Sequence, residues 1–242
     1  MRMDTRIFPD LESLSLAAID EMMRIIREAI AQRGHFSIAL SGGHTPIKMF
    51  ELWAGKPYRE DTPWDEVHLF WGDERYVPHD DERSNFRLAR DTFISRVPIP
   101  PAIVHPVPTV SAPPDKSAET YEKELRDFFG VDAPQIDLQL QGLGIEGHTA
   151  SLFPGSPALT EKQRWVLPVL APPMVTPPER LTMTPVVLNR GRNTFFLVSG
   201  EEKRQIIAGL RNETSPQTSP YPAAHIQPAG PVLWFLDRAV AG

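Results

Sequence analysis

One histidine sits in a run that joins proton-transfer chemistry to unusual backbone freedom: Gly142-Leu143-Gly144-Ile145-Glu146-Gly147-His148-Thr149-Ala150-Ser151-Leu152-Phe153-Pro154-Gly155. Imidazole is the side chain best suited to move protons near neutral pH. A carboxylate, Glu146, and two hydroxyls, Thr149 and Ser151, flank it. Three glycines ahead of it let the backbone turn tightly and approach a ligand closely. On these residues alone His148 is a general base, a capping group or an incidental loop histidine.

A second candidate is Ser41-Gly42-Gly43-His44-Thr45-Pro46. Two glycines expose backbone N–H groups, and a helix starting here would add partial positive charge, together an anion cradle. The plainer alternative is a strand-to-helix turn in which Thr45 caps its own helix, with Pro46 at the first helical position. A third is Asp73-Glu74-Arg75, either a solvated charge run or a site at the end of an apolar strand. Taken singly, Lys203 reads as a solvent-facing helix residue and Arg180 as a routine partner for a surface carboxylate.

Other chemistries fare worse. Gly142-x-Gly144-x-x-Gly147 matches the dinucleotide-binding fingerprint, but that fingerprint needs a long helix after the third glycine and an acid further on. Pro154 and Pro157 cut the following segment short, and the strand at 165–170 ends without an acid. The seven histidines show no pair at the spacing of known zinc motifs, so no metal site is expected. No cysteine is present and no Gly-x-Ser-x-Gly elbow presents a serine, which removes disulfides, thiol catalysis and that nucleophile.

The elements that must position these groups alternate. Helical spacing predicts a helix over 10–33, with Asp10 as N-cap and Gly34 as stop, and others over 45–54, 84–95, 117–129 and 200–210. Strands are expected at 36–40, 67–71, 136–140, 165–170, 180–188 and 194–198, with a last apolar segment at 232–236. Alternation of this kind implies an α/β fold with a mainly parallel sheet and helices on both faces. The ligand then sits beyond the carboxyl ends of the strands, where 41–46, 72–75 and 142–149 fall.

At 242 residues the chain suits one domain spanning 1–242, and 41% hydrophobic with 23% charged residues fits a soluble protein. No apolar run approaches the ~20 residues of a membrane span, and the charged start lacks a secretory segment. A cytoplasmic protein is expected. A net charge of −6 without a basic tail argues against nucleic acid as a partner, so an anionic ligand needs a local cluster of cations. Oligomeric state is not legible. The 26 prolines concentrate at 97–114, 168–178 and 216–231; these read as ordered surface loops in extended conformation, with room for disorder only in the third, and 212–231 suggests no role beyond a surface loop.

The motifs now converge on a family. Ser41 to Pro46, Trp71-Gly72-Asp73-Glu74-Arg75-Tyr76-Val77-Pro78 with Ser84-Asn85, and Gly147-His148-Thr149-Ala150-Ser151-Leu152-Phe153-Pro154 resemble the 6-phosphogluconolactonase family. Arg180-Leu181-Thr182-Met183-Thr184, Ser199-Gly200-Glu201-Glu202-Lys203 and Trp234-Phe235-Leu236-Asp237 continue the match in order. Where the family more often has aspartate before the glycine-histidine pair, this chain has Glu146, which keeps the charge and adds one methylene of reach.

The resemblance implies a modified Rossmann-like fold of the sugar-phosphate isomerase/deaminase type. It also implies hydrolysis of 6-phosphoglucono-δ-lactone to 6-phosphogluconate in the oxidative pentose phosphate pathway, without metal or organic cofactor. In that reading His148 is general base and then acid, Glu146 orients it, and Asp73 belongs to the catalytic group. Ser41, Gly42, Gly43, Thr45, Arg75, Arg180 and Lys203 hold the phosphate. The rivals are a sugar-phosphate deaminase or isomerase of the same fold, and a non-catalytic sugar-phosphate sensor. Relatives of the deaminase kind share the Ser-Gly-Gly turn, Arg180 and Lys203, but typically carry Asn-Glu-Pro in place of Leu152-Phe153-Pro154.

Overall fold

Short apolar segments such as Phe36–Leu40 and Thr194–Val198 do not alternate, and every residue in both is buried, as parallel strands covered on two sides require. The computed structural model describes residues 3–130, 134–173 and 175–242; Met1 and Arg2 of the charged start, and Met174 in the second proline-rich stretch, lie outside the described residues. In chain order the elements are β1 (Asp4–Phe8), α1 (Leu11–Arg33), β2 (Phe36–Leu40), α2 (Thr45–Trp53), α3 (Tyr58–Asp61), β3 (Val67–Trp71), β4 (Asp73–Arg75), α4 (Asn85–Thr92) and α5 (Pro114–Phe129). They continue with β5 (Leu138–Gln141), β6 (Val166–Leu170), β7 (Glu179–Met183), α6 (Pro185–Leu188), β8 (Thr194–Val198), α7 (Arg204–Asn212), β9 (Val232–Asp237) and α8 (Arg238–Ala241).

The central sheet has the order β1-β9-β8-β5-β2-β3, and all of its pairings are parallel. A second, three-stranded sheet in the order β4-β7-β6 is antiparallel. The core cluster runs through both, from Ile38 and Phe196 in the large sheet to Leu181 and Val166 in the small one. The result is the expected α/β, Rossmann-like architecture with a mostly parallel sheet, extended by an antiparallel unit.

Several local expectations need correction. Asp73-Glu74-Arg75 is a strand, because its backbone pairs with β7. The strand expected over 180–188 stops at Met183: Thr184 Oγ1 accepts the Val186 N–H at 3.2 Å and Pro185 starts α6, a capping pattern that ends extension. Thr45 is not the N-cap of α2; the helix already includes it, His44 precedes it, and no side chain caps that end. The stretch 216–231 contains two 3-10 turns, Pro216–Thr218 and Pro222–His225, and Pro222, Ala223 and Ala224 are buried. It is ordered and packed. By contrast α1 has the ends its sequence predicts: Asp10 accepts the Ser13 N–H at 2.8 Å, and Gly34 adopts φ 75°.

The order in which strands are added across the sheet reverses between β2 and β5, although all of them point the same way. From β2 the chain continues to β3 on one side, and from β5 to β8 on the other. Their carboxyl ends, Leu40 and Gln141, release the Ser41 turn and the Gly142 loop side by side. This is the topological switch point where open parallel sheets bind ligands.

Candidate active site

The glycine loop folds back on itself. Gly144 N–H donates to the His148 carbonyl at 2.9 Å, and Gly147 N–H donates to the Gly144 carbonyl at 3.0 Å. Two glycines have distinct duties. A Cβ on Gly144 would collide with the His148 ring, so that position must be bare for the imidazole to lie against it, while Gly147 has φ 78°. No helix follows; Thr149 and Leu152 form an isolated bridge instead.

His148 is aimed from both sides. Its Nδ1 lies 2.9 Å from Glu146 Oε2, and the Phe153 ring packs with its centroid 4.7 Å away. A carboxylate only accepts, so Nδ1 carries the hydrogen and Nε2 holds the free lone pair. The extra methylene of Glu146 is accommodated in this contact.

The residues after the histidine are tethers. Thr149 Oγ1 donates to Gln141 Oε1 at 2.7 Å, Ser151 Oγ donates to Asp73 Oδ2 at 2.6 Å, and Ser151 N–H donates to Thr182 Oγ1 at 3.2 Å. Between them Ala150 takes φ 47°, a conformation costly for a residue with a Cβ. Asp73 and Ser151 are thereby joined across 78 positions of sequence.

Strand alternation sorts the charged triplet. Asp73 pairs with Thr182 and Arg75 with Arg180, so all four share one face of the small sheet, while Glu74 and Leu181 share the other. The first face meets the cleft. Glu74 is fully buried and accepts the N–H groups of Arg75, Asn85 and Phe86 at 2.7 Å each, and Ser84 Oγ at 3.1 Å. It secures the start of α4. From there Asn85 Nδ2 donates to the Asp73 carbonyl at 2.9 Å, and its side chain lies hard against Gly42.

One cleft gathers Ser41, Gly42, Gly43, Thr45, Asp73, Arg75, His148, Arg180 and Lys203. Glu146 stands behind His148. Every candidate named from sequence is therefore brought to this place or against it. Asn85, which in the sequence stands out only beside Ser84, also lines the cleft; its buried contacts with Asp73 and Gly42 depend on the fold and carry no separate sequence signal. Burial lowers Arg180 and Lys203 below their ordinary pKa ranges; nearby carboxylates, Asp73 for Arg180 and Glu202 for Lys203, oppose that shift. The N-terminus of α2 adds uncapped N–H groups. The cleft is thus locally positive in an acidic protein. Among the described residues, no three His, Cys, Asp or Glu side chains are placed to share a metal ion, and no helix is long and apolar enough to cross a membrane.

Known proteins share both sequence and shape. The sequence profile of the glucosamine-6-phosphate isomerases/6-phosphogluconolactonase family matches residues 9–234. A 6-phosphogluconolactonase of Synechocystis is 46% identical over 217 residues, covering 88% of this chain and 86% of its own. The solved 6-phosphogluconolactonase of Trypanosoma cruzi superposes with a TM-score of 0.87 at 30% identity, over 99% of this chain and 98% of that one. A monomeric glucosamine-6-phosphate deaminase, 20% identical over 99% of both chains with a TM-score of 0.81, has the same fold. The chain belongs to the glucosamine-6-phosphate isomerase/6-phosphogluconolactonase family.

Proposed function

We propose that this chain hydrolyses 6-phosphoglucono-δ-lactone to 6-phosphogluconate, as a single domain over 1–242 acting on a small sugar phosphate in the cytoplasm. The observation that carries this reading is the pairing of His148 Nδ1 with Glu146 at 2.9 Å, which leaves Nε2 free at a cleft lined by Arg75, Arg180 and Lys203. A proton-transfer group beside a cluster of cations is what a phosphorylated lactone needs.

In the reaction, water attacks the lactone carbonyl carbon as His148 Nε2 takes one of its protons. The charge on the resulting imidazolium is balanced by Glu146 at Nδ1. When the tetrahedral intermediate collapses, the bond from that carbon to the ring oxygen breaks. Nε2 returns the proton to the departing oxygen, which becomes an alcohol, and the new carboxylic acid ionises in water. Backbone N–H groups of the glycine loop are available for the transient oxyanion. The phosphate lies far from the reacting carbon, so its capture by the 41–45 turn, Arg75, Arg180 and Lys203 supplies orientation. Asp73, already engaged by Ser151, holds the histidine loop to the small sheet.

The test is lactone hydrolysis coupled to product oxidation, corrected for spontaneous ring opening. His148→Ala should lower kcat by about 10²–10⁴-fold with little change in KM. Near-normal turnover in that variant removes the general-base assignment. Release of ammonia from glucosamine 6-phosphate at comparable rates would instead favour a deaminase.

A further inference from the structure

The proline-rich segment 216–231 reaches the underside of the histidine loop. Ala223 N–H donates to the Gly147 carbonyl at 2.9 Å, so the residue immediately before His148 is held by this segment's backbone. The neighbouring side chain does more. A Cβ placed on Gly147 would stand 2.6 Å from Tyr221 Cδ1 and 2.9 Å from its Cβ. A Cβ on Gly209, within α7, would stand 2.6 Å from Tyr221 Oη and 2.7 Å from Cε2. Opposite edges of one ring therefore press on two glycines from different elements.

Neither glycine is accidental in that setting. Gly147 needs its positive φ as well as the room. Gly209 sits inside a helix, where glycine is a poor former and alanine would be preferred on local grounds alone. The room it leaves is taken by the tyrosine. Among the described residues the Tyr221 hydroxyl makes no hydrogen bond, so the outer end of the side chain, Oη with Cε2 and Cζ, fills the gap by bulk alone. The helix on the far side begins directly after Lys203, the cation assigned to phosphate.

We propose that Tyr221 is a positioning residue for His148: its ring is a wedge, gripped between Gly147 and Gly209, that fixes how the histidine loop stands over the cleft. The inference rests on the reading of His148 as the general base. Removing the ring lets Gly147 settle, and the imidazole then leaves the line between the attacking water and the lactone carbonyl. Small displacements of a proton-transfer group are costly because catalysis needs near-attack geometry. Binding of the remote phosphate is not expected to suffer equally.

The experiment compares Tyr221→Ala, Tyr221→Phe and Gly209→Ala with the parent protein. Active sites are counted by calorimetric titration with 6-phosphogluconate, so that kcat refers to folded, binding-competent molecules. Tyr221→Ala should lose about 10–100-fold in kcat while KM and the product Kd change less than about threefold. Tyr221→Phe should restore kcat to within about twofold. Gly209→Ala, which improves the helix former at its own position, should nevertheless reduce kcat by crowding the ring towards Gly147. A loss in Tyr221→Ala that disappears once active sites are counted overturns the proposal, as does a Phe variant as impaired as the Ala variant. The two readings fail separately: an inert His148→Ala beside a fully active Tyr221→Ala overturns the wedge alone, whereas an active His148→Ala removes the base and the wedge together.

Discussion

Arg75 and Arg180 stand directly opposite each other on the antiparallel strands β4 and β7, two guanidinium groups on the same face. Like charges in that register destabilise a sheet, and Arg180 is only 7% exposed. An anion between them converts repulsion into charge-assisted hydrogen bonds. Inorganic phosphate or 6-phosphogluconate at about 100 times its Kd should therefore stabilise the fold by about 2.7 kcal/mol, seen as a rise of several degrees in Tm. Arg180→Ala should abolish most of that rise and increase KM about 10–100-fold, the equivalent of ~1.5–3 kcal/mol for a charged hydrogen bond. Equal stabilisation of the variant and the parent protein would remove the arginine pair from the phosphate site.

Lys203 gives the cleft a dependence on alkaline pH. Burial lowers its pKa from the ordinary lysine range, with Glu202 and Asp237 acting the other way. Its ammonium is thus lost earlier than that of a free lysine as pH rises. Affinity for 6-phosphogluconate should therefore weaken on the alkaline side before the pH at which a free lysine loses its proton, about 10.4. Lys203→Arg, whose guanidinium stays charged throughout, should hold its affinity there. Calorimetric Kd values at several pH points decide the matter; parallel curves for the two proteins would exclude Lys203 as the source.

Glu74 supports the site without touching it. Four donors converge on its carboxylate, three of them backbone N–H groups. Glu74→Ala leaves them buried and unpaired and should cost about 3 kcal/mol or more, a fall in Tm of roughly 6–12 °C for a chain of this size. Burial pushes Glu74 up to about 7, with the N–H donors opposing and Asp73 reinforcing the shift. Its folded pKa lies above the unfolded value, so its stabilising contribution is full below about pH 4.5 and is lost as pH rises through 7. The stability deficit of Glu74→Gln relative to the parent should accordingly narrow between about pH 5 and 8. A deficit that stays constant over that range would show the carboxylate to be ionised throughout.

His68 imposes the opposite slope at lower pH. Burial, followed by the charges of His105 and His35, lowers its pKa to about 4. Its Nδ1 lies 3.1 Å from His105 Nε2, and His105 Nδ1 lies 2.7 Å from Glu124. An unfolded imidazole takes up its proton near 6.5, so acidification from there to about 4 favours the unfolded chain. With the ring only half-buried, the loss should be on the order of 1–2 kcal/mol after solvent screening. Denaturant unfolding at pH 7 and pH 4.5 should show it for the parent protein and much less for His68→Gln.

Much of this site could be read from residue order because its parts end strands. The 41–46 turn follows β2 and the glycine loop follows β5, and apolar runs bounded by glycine announce such ends. Asp73-Glu74-Arg75 was harder. Its three charges look like a surface run, and only pairing with β7, more than a hundred positions away, turns them into a strand with alternate faces. Proline hid the Tyr221 segment in the same way, since its contacts with Gly147 and Gly209 are tertiary. β1 also escaped, because Asp4-Thr5-Arg6-Ile7-Phe8 is short, charged and partly exposed at the sheet's edge. Its strand character comes from its partner.

That partner is β9, and the arrangement constrains the order of assembly. β9 lies between β8 and β1, so the earliest strand in the chain finds its neighbour only after residues 232–237 have left the ribosome. Until then β8 and β1 both present unpaired edges, and α1 lacks its contacts with β9. A nascent chain stalled before this point would carry His148, Arg180 and Lys203 but leave an open, adhesive sheet margin. Insertion of β9 is therefore the step that joins β1, and with it the start of α1, to the rest of the parallel sheet.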